Sequence, residues 1–122
     1  MARKKILIAE DSRTILMVEK MILREAYDLV TAKDGQEAVE MAEAERPDLI
    51  LMDIIMPKMN GFEACRKLRG QDSTKDIPII MVTTRGEPEN VEMGFESGCS
   101  DYVTKPISSI ELLSKLKDYL GD

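Results

Sequence analysis

The side chains best suited to chemistry in this chain stand at the ends of short apolar runs. Glu10 and Asp11 follow residues 6–9, and Asp53 follows Leu49, Ile50, Leu51 and Met52. Thr83 follows residues 77–82, and Lys105 follows Tyr102, Val103 and Thr104. Each alone fits a strand-end, capping or surface residue. Together, three carboxylates, one hydroxyl and one ammonium suit one task. Close carboxylates repel one another and favour a bound cation. With oxygen ligands only, that cation is hard: Mg²⁺ first, then Mn²⁺ or Ca²⁺. A cation bridging carboxylate and phosphoryl oxygens, with Lys105 as a second positive charge and Thr83 as a donor, meets the needs of phosphoryl transfer. Those needs are positioning and charge neutralisation around an in-line attack. Asp53 is then the nucleophile, and the product is an aspartyl phosphate.

The elements that position these groups follow from the apolar pattern. Residues 49–52 form an unbroken apolar run, as in a parallel strand buried on both faces. Asp53 is costly to bury unless the strand ends there and opens into a polar cleft. Pro57 and Asn60-Gly61 end the extended segment. Further strands are expected over residues 6–9, 28–32, 77–82 and 102–104. Pro78 is tolerable only at its strand's start.

Helices are expected between and after these strands. Ser12 caps the first, which runs to about residue 25 with Ile15, Val18 and Ile22 as its core stripe. Leu16, Met17, Met21 and Leu23 make it more apolar than one stripe requires, which fits either a broad core face or a docking patch. Asp34 and Gly35 open the second helix, with Ala38, Val39 and Ala42 inward, and Arg46-Pro47 ends it. The third spans 61–69, with Phe62, Cys65 and Leu68 at helical spacing, before a polar loop over 70–76. The fourth spans 88–96, stops at Gly98 and carries only acidic charges. Ser108 or Ser109 caps the last, which turns Leu112, Leu113, Leu116 and Leu120 inward. Strands alternating with helices give an α/β fold with a mostly parallel sheet. In such sheets function gathers at the carboxyl ends of the strands, where the five polar groups stand.

Composition narrows the field. The chain has 122 residues, which fits one domain, 1–122, with no effector domain. The net charge of −6 argues against non-specific nucleic-acid binding. Arg3-Lys4-Lys5 reads as a solvated lead into the first strand. No apolar stretch is long enough to span a membrane or serve as a signal peptide, so a cytoplasmic location is expected. Cys65 and Cys99 make no Cys-x-x-Cys and fit reduced core residues. There are 0 histidines, which excludes Ser-His-Asp and Cys-His nucleophilic sites and histidine-ligated zinc. Any phosphohistidine must come from another protein. No nucleotide-binding glycine motif is present.

These motifs resemble the receiver domain of two-component response regulators, the family of the single-domain regulator CheY. The resemblance covers essentially the whole chain. It rests on Glu10-Asp11, on Asp53 within Met-Asp-Ile-Ile-Met-Pro-Lys-Met-Asn-Gly, on Thr83-Thr84, and on Asp101-Tyr102-Val103-Thr104-Lys105-Pro106. It implies a flavodoxin-like (βα)5 three-layer sandwich with strand order 2-1-3-4-5. It implies that Asp53 is the phosphoacceptor, that Asp11 ligates Mg²⁺ directly and Glu10 mainly through water, and that the Ile55 backbone carbonyl completes the protein's share of the shell. Thr83 and Lys105 hold phosphoryl oxygens, Tyr102 turns inward with Thr83 as a switch, and Lys105-Pro106 is cis. Ile55 and Arg85 stand at positions that tune dephosphorylation. An apolar Ile55 cannot orient an attacking water, so the phosphoryl group is not expected to be unusually short-lived.

The implied partners are a histidine kinase or histidine phosphotransfer protein, and an output protein bound through the fourth helix, fifth strand and fifth helix. A chemotaxis or motility protein is one such target; a relay intermediate or phosphate sink is the alternative role. A monomer is expected, although the helix-four face can pair in this family. The domain is consumed in the transfer and is not an enzyme in the turnover sense. Other readings fit less well. An interaction module that needs no phosphorylation would not require the complete set Glu10, Asp11, Asp53, Thr83 and Lys105. A haloacid-dehalogenase-type hydrolase wants an Asp where Ile55 stands. A flavodoxin-type carrier would find its phosphate repelled by Glu10-Asp11.

Overall fold

The computed structural model describes residues 3–84 and 87–121. Five strands, β1 (Lys5–Ala9), β2 (Asp28–Ala32), β3 (Leu49–Asp53), β4 (Ile79–Thr84) and β5 (Asp101–Lys105), alternate with five helices. The helices are α1 (Arg13–Leu23), α2 (Gly35–Glu45), α3 (Gly61–Arg69), α4 (Pro88–Ser97) and α5 (Ser109–Leu120). All strand pairings are parallel, in the order β2-β1-β3-β4-β5. The architecture is the flavodoxin-like sandwich implied by the family motifs.

Alternation along the strands divides the core in two. Leu7, Ile50, Met52, Ile79 and Met81 face one side, against Ala38 and Ala42 of α2 and Phe62, Cys65 and Leu68 of α3. Ile6, Ile8, Leu49, Leu51, Ile80 and Val82 face the other, against Leu23 of α1 and Leu112 and Leu116 of α5. β3 is buried at every residue, including Asp53. Burial on both faces explains why its sequence is a continuous apolar run rather than an alternating one.

The helix starts carry their own signals. The side chains of Ser12, Asp34, Asn60 and Ser108 accept from the backbone N–H three residues on, satisfying donors that a helix leaves unpaired. Asn60 and Glu63 complete a reciprocal capping box.

Three expectations shift. β4 begins at Ile79, beyond Pro78, and extends through Thr84, so Thr83 lies within the strand. β5 gains Asp101 and Lys105. Of the expected α1 stripe, Ile22 is half-buried and packs on the core, but Val18 is 43% exposed, and the fully buried residues of the helix are Glu19 and Leu23. The helix is apolar on too many sides for spacing to fix its rotation, and the one acid that breaks the apolar run points inward.

Candidate functional site

The carboxyl edge of the sheet collects the predicted groups. Glu10 and Asp11 follow β1 where the chain turns into α1, and Asp53 and Lys105 are the last residues of β3 and β5. Carboxylate oxygens of Glu10, Asp11 and Asp53 lie within 4.8 Å of one another. Lys105 Nζ stands 3.1 Å from Asp53 Oδ1 and 3.9 Å from Glu10 Oε1. Asp53 and Glu10 are buried, whereas Asp11 is exposed at the mouth. The Ile54 N–H donates to Asp53 Oδ1 at 2.9 Å, and the Ser12 N–H donates to Glu10 Oε2 at 3.1 Å. These bonds fix both carboxyl orientations.

Two buried oxygens here have no hydrogen-bond partner: Glu10 Oε1 and Thr83 Oγ1. Orphaned buried polar atoms are costly and point to a group that would satisfy them. A divalent cation on the three carboxylates and an anionic oxygen beside Thr83 fit that role. Burial pushes the Glu10 carboxyl up to about 7, and the neighbouring Asp53 charge adds to the rise. The Ser12 hydrogen bond and Lys105 act in the opposite direction. A cation would reverse the repulsive part of that shift. The donor set is all oxygen, which suits Mg²⁺.

The loop between β3 and α3 is held by close backbone contacts. The Gly61 N–H donates to the Ile54 carbonyl at 2.7 Å, and a Cβ on Gly61 would sit 2.3 Å from the Asp53 carbonyl oxygen. Only glycine lets α3 start this near the end of β3. Ile55, within the loop, is 74% exposed. The Lys105–Pro106 peptide bond is cis. Arg85 lies outside the described residues.

Tyr102 stands apart from the carboxylates, half-buried on β5. Its ring meets Phe95 edge to face at 6.2 Å, and Lys115 Nζ lies 5.0 Å from its centroid. Lys115 also donates to Asp101 Oδ1 at 2.9 Å and to the Tyr102 carbonyl at 2.7 Å. Tyr102 borders a groove of about 330 Å³ with Thr84, Glu87, Pro88, Val91 and Thr104. A larger groove of about 480 Å³ runs beside Lys105, lined by Thr14, Ile15 and Val18 of α1 and by Pro106 and Ile107. Met17 and Met21, also on α1, are 62% and 63% exposed.

One residue escaped the sequence reading. Glu19 of α1 is 1% exposed, and its Oε1 has no partner. Burial drives its carboxyl up to about 8, with the charges of Glu10 and Asp53 adding and Lys105 opposing. The available signal was an acid one turn from Leu16 and from Leu23 on a helix whose other residues there are apolar.

This fold and this acidic edge define a signalling receiver, and comparison with known proteins agrees. The family model for the response regulator receiver domain matches residues 6–117, and the chain belongs to that family. It is 41% identical over 118 residues to the alkaline phosphatase synthesis transcriptional regulatory protein PhoP of Bacillus subtilis, covering 96% of this chain and 48% of PhoP. The chain spans about half the length, or less, of the curated relatives it matches. Among solved structures, the Vibrio cholerae chemotaxis protein CheY4 superposes with a TM-score of 0.90 at 37% identity, covering 98% of this chain and 100% of that one. The receiver domain of the sensor histidine kinase PA1611 from Pseudomonas aeruginosa superposes at 0.89 with 34% identity, covering 99% of this chain and 100% of that one. That structure has a magnesium ion coordinated in its active-site cleft. Receiver domains are signalling modules of two-component systems that interact with histidine kinases and output proteins. Among the described residues, no helix is long and apolar enough to cross a membrane.

Proposed function

We propose that the chain accepts a phosphoryl group on Asp53 from a phosphohistidine of a partner kinase or phosphotransfer protein. The supporting observation is the set of three carboxylates within 4.8 Å, with Lys105 3.1 Å from Asp53. Glu10, Asp11, Asp53 and the Ile55 backbone carbonyl would hold Mg²⁺. When bound, the ion neutralises charge on the carboxylates and the phosphoryl oxygens. An Asp53 oxygen attacks phosphorus, the phosphorus–nitrogen bond of the donor breaks, and its electron pair leaves on the imidazole. Lys105 moves its charge from Asp53 to a phosphoryl oxygen. Thr83, whose Oγ1 has no partner, donates to another.

The donor docks beside α1. The groove at Lys105 lies next to the reacting carboxylate, and exposed Met17, Val18 and Met21 on that helix offer apolar area for a donor helix. The signal then passes through Thr83 and Tyr102. Thr83 pairs across the sheet with Thr104, two residues from Tyr102. Movement of Tyr102 would reshape the groove between α4 and β5 and change the affinity of the α4-β5-α5 face for an output protein. The likeness to CheY4 favours a motility target. The receiver works as a cytoplasmic monomer.

Intact mass tests the first step. Incubation with Mg²⁺ and acetyl phosphate should add one phosphoryl group, and Mg²⁺ removal or Asp53→Ala should abolish the gain. No gain, together with no Mg²⁺-dependent binding of beryllofluoride, would leave an interaction module that works without phosphorylation.

A further inference from the structure

Glu19 occupies a position that the fold gives it no reason to hold. It sits on the inner face of α1 between Leu16 and Leu23, which pack into the core shared with α5. An apolar residue there would cost nothing, whereas a buried carboxyl with an orphaned oxygen is expensive. α1 starts two residues after Asp11, and Glu19 lies roughly 9 Å along the helix axis from its first residue. It lies farther along α1 than the acidic edge, buried in the core, and the charges of that edge still act on it. The charged groups that act on it come from three strand ends: Glu10 after β1, Asp53 on β3 and Lys105 on β5. From α5, the buried residues Leu112 and Leu116 face this core and carry no charge, while Lys115 is engaged with Asp101 and Tyr102. Residues that break a local folding rule at no evident gain to the fold tend to be functional.

We propose that Glu19 is a fourth acidic member of the phosphoacceptor site, a buried positioning residue that gives up its proton when a divalent cation loads and so makes loading respond to pH. This rests on the reading of Glu10, Asp11 and Asp53 as cation ligands. In the cation-free chain the Glu19 carboxyl is held up at about 8, first by burial, so it stays protonated at neutral pH. Two added positive charges at the acidic edge favour its ionised form. By reciprocity, the ionised form tightens cation binding by the same factor. Glu19 touches neither the reacting atoms nor the ion. It acts through the field, and a neutral isostere keeps the fold while removing the proton.

Calorimetric Mg²⁺ titrations of the whole chain test this, run from mildly acid to mildly alkaline pH in buffers of different ionisation enthalpy. The wild type is compared with Glu19→Gln and with Glu19→Leu, which suits the apolar surroundings if the amide does not. The wild type should release more protons per Mg²⁺ bound near neutral pH than either variant. Its affinity should also rise by roughly five- to tenfold more between neutral and alkaline pH. Glu10 titrates in all three proteins and is coupled to Glu19, so the difference in proton release reads the pair, and the carboxyl resonance of Glu19 assigns its share. A ¹³C carboxyl resonance moving in the alkaline range in the wild type, and missing in Glu19→Gln, would support the assignment. Equal proton release and equal pH dependence in the three proteins would overturn the role of Glu19 and leave the metal site standing. Failure of the wild type to bind Mg²⁺ at any pH would overturn both.

Discussion

Replacing Asp53 with Asn should stabilise the cation-free protein. The buried Asp53 carboxylate shares a space of 4.8 Å with Glu10 and Asp11. At an effective dielectric of about 20, a like-charge contact at that distance costs about 3–4 kcal/mol. Asp11 is exposed, so its share is screened to a fraction of that. Lys105, 3.1 Å away, returns about 5 kcal/mol on the same scale. When Asp53 loses its charge, however, Lys105 does not go unpaired. Glu10 stands 3.9 Å from it and is relieved of the repulsion that helped to hold its carboxyl up at about 7. Glu10 then ionises and takes over the pair. These pairwise terms nearly cancel. What tips the balance is the cost of keeping a third charge out of water, several kcal/mol for a buried ion, which falls away with Asp53. The net gain for Asp53→Asn is on the order of 1 kcal/mol, which shifts a urea midpoint by roughly 0.5 M for a domain of this size. Mg²⁺ should invert the order. It binds the folded wild type and adds about 2.7 kcal/mol at one hundred times its dissociation constant. The variant has lost a ligand and gains far less. Urea unfolding followed by circular dichroism, with and without Mg²⁺, reads both effects. A variant less stable than the wild type without Mg²⁺ would refute the electrostatic reasoning, as would equal stabilisation of both proteins by the ion.

Three further outcomes follow from the same geometry. Glu10 and Glu19 titrate at about 7 and about 8 in the folded chain, against an ordinary glutamate value of 4.5. A raised carboxyl pKa means the folded state binds more protons, so cation-free stability should fall as pH rises from about 5 to about 8. Urea midpoints across that range check the sign, and a rise would contradict it. Met17→Glu with Val18→Glu should slow phosphotransfer from a phosphohistidine protein roughly tenfold or more by spoiling an apolar contact. Loading from acetyl phosphate should stay unchanged; equal loss with both donors would place the defect in the site rather than in docking. Ile55→Asn should shorten the lifetime of the loaded protein severalfold by offering an amide to orient water. Decay of the phosphorylated mass peak measures it, and an unchanged decay would remove Ile55 from hydrolysis.

What the sequence made legible was whatever a single strand or cap determines. The run from Leu49 to Met52 needs both faces covered, so it reads as a central strand without any neighbour being known. Asn60-Gly61-Phe62-Glu63 carries its capping box within four residues, and α3 follows at the expected place. The polar edge was legible because its groups stand within two residues of the ends of four strands, and a parallel sheet brings such ends to one edge. The rotation of α1 was not legible. Ile15, Leu16, Met17, Val18, Met21, Ile22 and Leu23 offer apolar area on several sides, and only packing against the sheet and α5 chooses among them. That choice turns Met17, Val18 and Met21 to solvent and Glu19 into the core. The two outcomes are one event: the rotation that opens an apolar surface beside Lys105 also carries an acid into the core. A helix turned to bury Val18 instead would fit the apolar rule better, yet it would lose both the free face next to Lys105 and the buried acid. On the reading proposed above, the packing that departs from the simplest pattern is the packing that places chemistry, and α1 serves the site as a working wall rather than as cover.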